Sequence, residues 1–367
     1  MQDYETEARD LDAEILAVIG AWNSEGRSLD DAAFNALALR IFAHQLRYNE
    51  RYAQYCAQLG VALEAMPASW EGIPGVPAAA FKEAALSTFD PARAALAFET
   101  SGTTGRTPGR HYMETTALYD AVLLGGFDRF MLPDGARLRY FNLVPDPLER
   151  PQSSLGYMMA RVSAHRGTGD TGWYQRGDSL DVDSLIRDLR GAIAVSQPVC
   201  IATTAFGLLY TLDVMERAGV ALDLPRGSRI METGGFKGRT RVITRDDLYA
   251  RSSALLGISP DTIVAEYGMT ELTSQYYDVN ATTRAKSGPP WLRARVVGPD
   301  RRTLANGKTG SLLHVDLANR ASCIAVQTDD LGIREGDGFV LLGREREAEP
   351  RGCSLDAEEL RERTART

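Results

Sequence analysis

The chain has 367 residues, of which 44% are hydrophobic and 25% charged, which is the mixture of a globular protein and excludes a disordered, coiled-coil or collagen-like chain. A formal charge of −8 leaves no basic stripe to release counterions from a phosphate backbone, so no nucleic-acid partner is expected. No apolar run reaches bilayer-crossing length. The acidic opening Met1-Gln2-Asp3-Tyr4-Glu5 is unlike an export signal, and the expectation is a cytoplasmic protein without a membrane span.

Only four of the 41 basic residues are lysines, Lys82, Lys237, Lys286 and Lys308. With abundant Ala this reads as the coding bias of a high-GC genome, so arginine richness carries little function and a surviving lysine carries more. Cys56, Cys200, Cys323 and Cys353 show neither CxxC nor a Cys/His cluster with metal spacing. In a reducing compartment any functional cysteine would act as a thiol.

The first ~95 residues read as helical by apolar period. Ser28 is placed to cap a helix whose apolar positions run from Phe34 to Leu59 and end near Gly60. A Pro/Gly-punctuated connector follows, Met66 to Pro77. Strands are predicted at Ala94–Phe98 and Leu138–Val144, a helix at Leu180–Ala194, a strand at Val199–Thr203 and a helix at Phe206–Ala218. A short strand at Arg229–Glu232, a helix at Asp246–Leu256 and a buried-type strand at Thr262–Tyr267 complete an alternation typical of an α/β sheet with crossover helices. After Pro289-Pro290 the pattern is all-β, with strands at Leu292–Val297, Gly310–Asp316 and Phe339–Leu342, then a short helix at Asp356–Arg366. The organisation predicted is a helical region 1–93, an α/β core 94–288, a β-rich subdomain 289–345 and a hinge-like tail 346–367.

The strand at Ala94–Phe98 leads into Glu99-Thr100-Ser101-Gly102-Thr103-Thr104-Gly105-Arg106-Thr107-Pro108-Gly109. Glycines let backbone N–H groups converge on an anion and the hydroxyls add donors, so the segment has the chemistry of a phosphate cradle; a plain surface loop is the alternative. No Gly-Lys-[Ser/Thr] closes it, so it is not a Walker A loop. Gly167-Thr168-Gly169-Asp170-Thr171-Gly172 matches G-x-G-x-x-G letter by letter, but polar residues precede it and no helix follows, and it reads as a turn.

Glu99–Gly105 resembles the phosphate loop of the acyl-adenylate-forming superfamily. Four further segments agree in order: Glu232-Thr233-Gly234-Gly235 on the adenine side, Glu266-Tyr267-Gly268-Met269-Thr270-Glu271 at a strand end, Thr328-Asp329-Asp330-Leu331, and Gly343-Arg344 at the hinge. The helix Phe42–Cys56, Ile73–Pro77 through Phe81-Lys82, and Arg351-Gly352-Cys353-Ser354-Leu355 narrow the resemblance to the acyl-protein synthetase family. It implies an α/β fold with a large adenylate-forming N-terminal domain and a small β-rich subdomain, lacking the mobile C-terminal domain and its catalytic lysine.

The resemblance also implies that a carboxylic acid, by the family a fatty acid, reacts with ATP and Mg²⁺ to give acyl-AMP. Thr100, Ser101, Gly102, Thr103, Thr104 and Gly105 would hold the β- and γ-phosphates, Thr270 the α-phosphate and Glu271 the Mg²⁺. A solvated carboxylate beginning a helix is the alternative for Glu271. Gly234, Gly235 and Tyr267 fall on the nucleotide wall. Asp330 would accept the ribose hydroxyls, with Asp329 its rival and turn formation the alternative for both. Arg344 would contact ribose or phosphate, and Lys237 is assigned as the cation beside the reacting centre.

Cys353 would take the acyl group as a thioester, with Arg351 favouring its thiolate, and hand it to an acyl reductase or other acceptor protein; an incidental residue of the hinge is the alternative. Two other readings stand beside this one: a ligase delivering to CoA, a carrier thiol or an amine, and a non-catalytic nucleotide-binding scaffold. Cys56, Cys200 and Cys323 are expected to pack in helix or strand, and His111 is the one histidine kept as a contact. Tyr157-Met158-Met159 and Trp173-Tyr174 would line an acyl pocket or belong to the core.

Overall fold

The computed structural model describes residues 3–100, 108–234, 243–278 and 284–344. These fall into two units, one built from 3–126, 268–276 and 285–344 and the other from 127–267, 277–278 and 284.

The first unit opens with α1 (Tyr4–Glu25), α2 (Asp31–Tyr48) and α3 (Glu50–Gln58). Ala8, Leu11, Ile15 and Ile19 form a buried stripe on α1 at three-to-four spacing. The Asp3 carboxylate caps its start, and Gly26, at φ 65, ends it in the left-handed region. The cap expected at Ser28 falls instead to Asp30, whose carboxylate accepts the Ala33 N–H at 2.8 Å. Nor does one helix run on to Gly60. Asn49 interrupts it because its side chain accepts the Tyr52 N–H at 3.1 Å and so begins α3, while its amide donates to the Ser322 carbonyl.

Beyond the connector, Val76 and Pro77 pair in parallel with Val326 and Gln327 and lead into the short α4 (Ala80–Glu83). The expected strand at residues 94–98 is β1 (Leu96–Glu99), and it pairs antiparallel with β2 (Arg110–Met113), ten residues on. Helix α5 (Ala117–Met131), which the sequence reading did not identify, follows. Its Gly125 is needed for close approach, since a Cβ there would meet the Asn23 amide on α1 at 2.3 Å.

The second unit alternates β3 (Arg139–Leu143), α6 (Ser154–Arg166), α7 (Val182–Ala194), β4 (Val199–Thr204), α8 (Ala205–Arg217), β5 (Arg229–Thr233), α9 (Arg245–Leu256) and β6 (Ile263–Tyr267). The strands lie parallel in the order β6-β5-β4-β3, with the two-residue strand Gly172–Trp173 beside β3. Parallel strands joined by helices must be buried on both faces, and every residue of β4 is buried. Val182, Leu185, Ile186, Leu189 and Ala192 on α7 join Ile201, Leu212, Ile230 and Leu248 in the core, each large aliphatic side chain contributing about 2 kcal/mol of burial. The Gly167–Gly172 segment follows α6 and runs into Trp173, so it is a turn and no dinucleotide fingerprint.

The rest of the first unit is antiparallel: β7 (Ala285–Ser287), β8 (Leu292–Val297), β9 (Thr309–Asp316), β10 (Ala325–Glu335) and β11 (Gly338–Arg344), in the order β8-β9-β10-β11-β7. Thr328–Leu331 lies inside β10 and forms no turn; its register shifts against β9 across Thr328–Asp330 and against β11 at Leu331 and Gly332. The fold is mixed α/β, and no described helix is long and apolar enough to cross a membrane.

Candidate active site

The β1–β2 hairpin explains where the Gly/Ser/Thr loop begins and ends. Glu99 and Arg110 stand opposite each other in register, with Arg110 Nε donating to Glu99 Oε1 at 2.9 Å. One residue further out, the Thr100 N–H donates to the Gly109 carbonyl at 2.8 Å. The Gly109 N–H donates to Thr100 Oγ1, also at 2.8 Å. Thr100 thus closes the neck of the loop. Ser101, Gly102, Thr103, Thr104 and Gly105, expected to hold phosphate, lie outside the described residues.

The segment after β6 is joined to this neck, all within the first unit. Thr270 Oγ1 donates to the Glu99 carbonyl at 3.4 Å, a long bond at the limit of what counts as one. His111 Nδ1 lies 2.8 Å from the Thr270 carbonyl. A carbonyl only accepts, so Nδ1 carries the proton and the tautomer is fixed. His111 is buried, and burial pushes its pKa down to about 4, leaving the ring neutral at physiological pH.

The other side of Thr270 is held by residues to which the sequence analysis gave no role. Asn319 Nδ2 donates to the Glu271 carbonyl at 3.0 Å, and its Oδ1 accepts the Thr273 N–H at 2.8 Å and the Thr273 hydroxyl at 2.6 Å. Asp316, fully buried at the end of β9, accepts the N–H groups of Thr273, Ser274 and Ala318 and the Ser274 hydroxyl. Burial nevertheless pushes its carboxyl up to about 6. A polar Asp-x-x-Asn just after an apolar strand was the available signal. Glu271 is only 7% exposed and sits in a turn, so it is not a solvated carboxylate opening a helix.

The Glu271 carboxylate is a hard oxygen donor of the kind Mg²⁺ accepts. Among the described residues no group of three or more His, Cys, Asp or Glu is arranged to hold a metal. A magnesium ion here would therefore take its other ligands from phosphate and water, and the donor set fits that use.

Asp330 on β10 and Arg344 on β11 are register partners, so the two segments expected on the ribose side are brought opposite each other. The Asp330 N–H donates to Thr328 Oγ1 at 3.2 Å. Lys286, which the sequence reading left without a role, is buried in β7 opposite Phe339.

In the second unit Tyr267 ends β6 and is buried. Thr233 and Glu266 are register partners at the ends of β5 and β6, with the Thr233 hydroxyl donating to the Glu266 carboxylate. Gly234 follows with φ 91, a conformation that favours glycine. Glu232 faces inward, accepting the Tyr249 hydroxyl at 2.8 Å, with Arg245 Nε 3.6 Å away. Gly235, Lys237, Cys353 and the helix expected at Asp356–Arg366 lie outside the described residues. Cys56 and Cys200 are buried in α3 and β4, and burial pushes both thiols up to about 12, as expected of packing residues. Cys323 is buried too, but precedes β10 instead of lying in it. Met158 and Met159 are core residues of α6, and Tyr174 is buried, stacked on Phe141 with ring centroids 5.8 Å apart.

Solved structures of similar fold include an open conformation of 2-hydroxyisobutyryl-CoA ligase in complex with 2-HIB-AMP and CoA, at 10% identity over 88% of this chain and 72% of that one, TM-score 0.61. McyG A-PCP complexed with phenylalanyl-adenylate is 14% identical over 92% and 70%, TM-score 0.50. The adenylation domain of a keto acid-selecting NRPS module bound to keto acyl adenylate is 12% identical over 69% and 52%, TM-score 0.50. The present chain thus spans about half the length of that last protein. These likenesses establish an adenylate-forming fold. No curated protein matches the sequence. The family model for the acyl-protein synthetase LuxE matches residues 10–360, and the chain belongs to the LuxE acyl-protein synthetase family.

Proposed function

We propose that the protein is an ATP-dependent ligase that adenylates a carboxylic acid. A carboxylate oxygen attacks the α-phosphorus of ATP, a new O–P bond forms, and the bond to the bridging oxygen breaks to release pyrophosphate and leave acyl-AMP. The observation that carries this reading is the joining of Thr270 to both limbs of the hairpin, through Glu99 and through His111. Preorganised donors aimed at charge that develops in the reaction are the main contribution a protein makes to phosphoryl chemistry.

In this reading Thr100, Ser101, Gly102, Thr103, Thr104 and Gly105 bind the β- and γ-phosphates, and Thr270 binds the α-phosphate. The long bond from Thr270 to the Glu99 carbonyl is one that a phosphate oxygen can replace. Glu271 holds Mg²⁺, which neutralises phosphate charge. Asp330 and Arg344 take the ribose side, Gly234, Gly235 and Tyr267 the base, and Lys237 stands by the reacting groups. The Cys353 thiolate then attacks the acyl carbon, AMP leaves, and the thioester passes its acyl group to an acceptor, by family an acyl reductase. The acid is by the same analogy a fatty acid.

The test is ATP–pyrophosphate exchange over a panel of fatty and aromatic acids, with intact-mass measurement of the wild type beside Cys353→Ser. Acid-dependent exchange together with a hydroxylamine-labile acyl mass, lost in the mutant, is the expected result. Exchange without an adduct, with AMP released only when CoA or an amine is added, would remove the cysteine step. Nucleotide binding without exchange for any acid would refute the ligase and favour a scaffold.

A further inference from the structure

We infer that Lys82 supplies the positive charge that meets the triphosphate at the base of the hairpin loop, a role that rests on the adenylate-forming reading above. Transfer at phosphorus needs cations as well as N–H donors. Two described cations stand at the neck of this loop, Arg110 and Lys82; Arg320 lies at the other end of β2, beside Glu114. Arg110 is engaged by Glu99 on the opposite strand. Arg320 is fully buried and bound to Asp12 through two bonds, at 2.7 and 2.8 Å, and to Glu114 at 2.8 Å. Of the two at the neck, Lys82 is the one with no ion pair among the described residues.

Its placement follows from the packing of Gly109. A Cβ at that glycine would come within 3.2 Å of the Phe81 carbonyl carbon and 3.3 Å of both Lys82 N and Lys82 Cγ. The stem of Lys82 therefore lies directly on the returning limb of the loop, where a side chain at Gly109 would make its neighbours give by a few tenths of an ångström. The contact is held from three sides. The Ala78 N–H donates to the Gln327 carbonyl at 2.9 Å, which ties the start of α4 to β10. Phe81 packs edge-on against His111 with ring centroids 5.9 Å apart. His111 in turn holds Thr270. One rigid chain of contacts thus sets both the α-phosphate donor and the stem of Lys82. An ammonium on a partly buried stem is a point charge suited to phosphate.

The scarcity of lysine makes the test direct. Acetic anhydride labelling, mapped by mass spectrometry, has four side chains to report, with exposed Lys308 as a reactive control and buried Lys286 as an unreactive one. Mg-ATP is expected to slow acetylation of Lys82 several-fold and leave Lys308 unchanged, while adenosine protects neither. In equilibrium binding, Lys82→Met keeps the stem and is expected to weaken Mg-ATP about 10-fold, as loss of one charge-assisted contact does. Adenosine affinity should stay within about twofold, and Lys82→Arg should recover most of the loss. Protein that binds Mg-ATP while Lys82 acetylates at its free rate would overturn the inference. So would a Met variant that loses Mg-ATP and adenosine to the same degree. Wild-type protein that does not bind Mg-ATP at all would overturn the adenylate-forming reading itself.

Discussion

Replacement of Asn319 offers the sharpest check on how Thr270 and Glu271 are held. The side chain is 1% exposed and makes four hydrogen bonds, two accepted from Thr273 and two donated, to the carbonyls of Glu271 and Cys323 at 3.0 Å each. In Asn319→Ala the Thr273 N–H keeps its second acceptor, Asp316 Oδ2 at 3.0 Å, and the hydroxyl can rotate. The two carbonyls have no such relief from this side chain. At about 1–3 kcal/mol for each buried group left unpaired, the loss is about 2–6 kcal/mol. Asn319→Asp should be worse despite its shape, because an oxygen replaces the amide nitrogen against two carbonyl oxygens and a buried charge is added. Urea unfolding gives the measurement, read as a shift of the midpoint at constant slope. An Ala variant within about 0.5 kcal/mol of wild type, or an Asp variant more stable than the Ala one, would refute the accounting.

Other expectations follow from the same geometry. His111→Asn keeps an amide donor near the Nδ1 position and should retain pyrophosphate exchange within a few-fold, whereas His111→Gln moves the donor one carbon outward and should lose about 10-fold; equal activity of the two would argue against the bond to Thr270. His111 and His314 are buried neutral, with pKa values pushed down to about 4 and about 3. The unfolded chain therefore takes up protons first, and the stability present above about pH 6.5 drains away as the pH falls, by about 2 kcal/mol for each histidine at pH 5. Asp316, pushed up to about 6, runs the opposite way and returns about 1 kcal/mol over the same interval. A urea midpoint that does not fall between pH 7.5 and 5 would contradict this balance. Arg320→Met should cost about 3–5 kcal/mol by stranding Asp12 and Glu114, and a double change that also neutralises Asp12 should recover part of it; strict additivity in that cycle would show that the pair does not couple.

Much of the fold was legible because burial writes itself into the sequence. Leu292–Val297 and Ile263–Tyr267 are short, largely apolar segments near turn residues, and the structure ends them within a residue of where the pattern does. Helix α5 was hidden by Gly125-Gly126, which reads as a break until Asn23 is seen to need the space. Strand β10 was hidden by Thr328-Asp329-Asp330, polar residues at which its register against β9 shifts. The motifs of the candidate site could be read singly, by residue type and order. What joins them could not. His111 and Thr270 are 159 positions apart, and Asn319 lies 48 beyond Glu271. No local pattern announces that a strand histidine and a turn asparagine grip the same segment from opposite sides.

The first unit is assembled from stretches that leave the ribosome far apart in time. Asp12 waits for Arg320 across 308 residues, which at ordinary elongation rates is roughly 15–60 s. The second unit, nearly all of it in one continuous stretch from 127 to 267, can complete its parallel strands during that delay. Helices α1 to α3 meanwhile expose Ile15, Ile19, Phe34 and Phe42, all buried in the finished protein, to whatever holds nascent chains. Overexpression should therefore be limited by the wait for β8 to β11. Slower synthesis, cooler growth or added chaperone should raise the folded yield more than any substitution within the second unit.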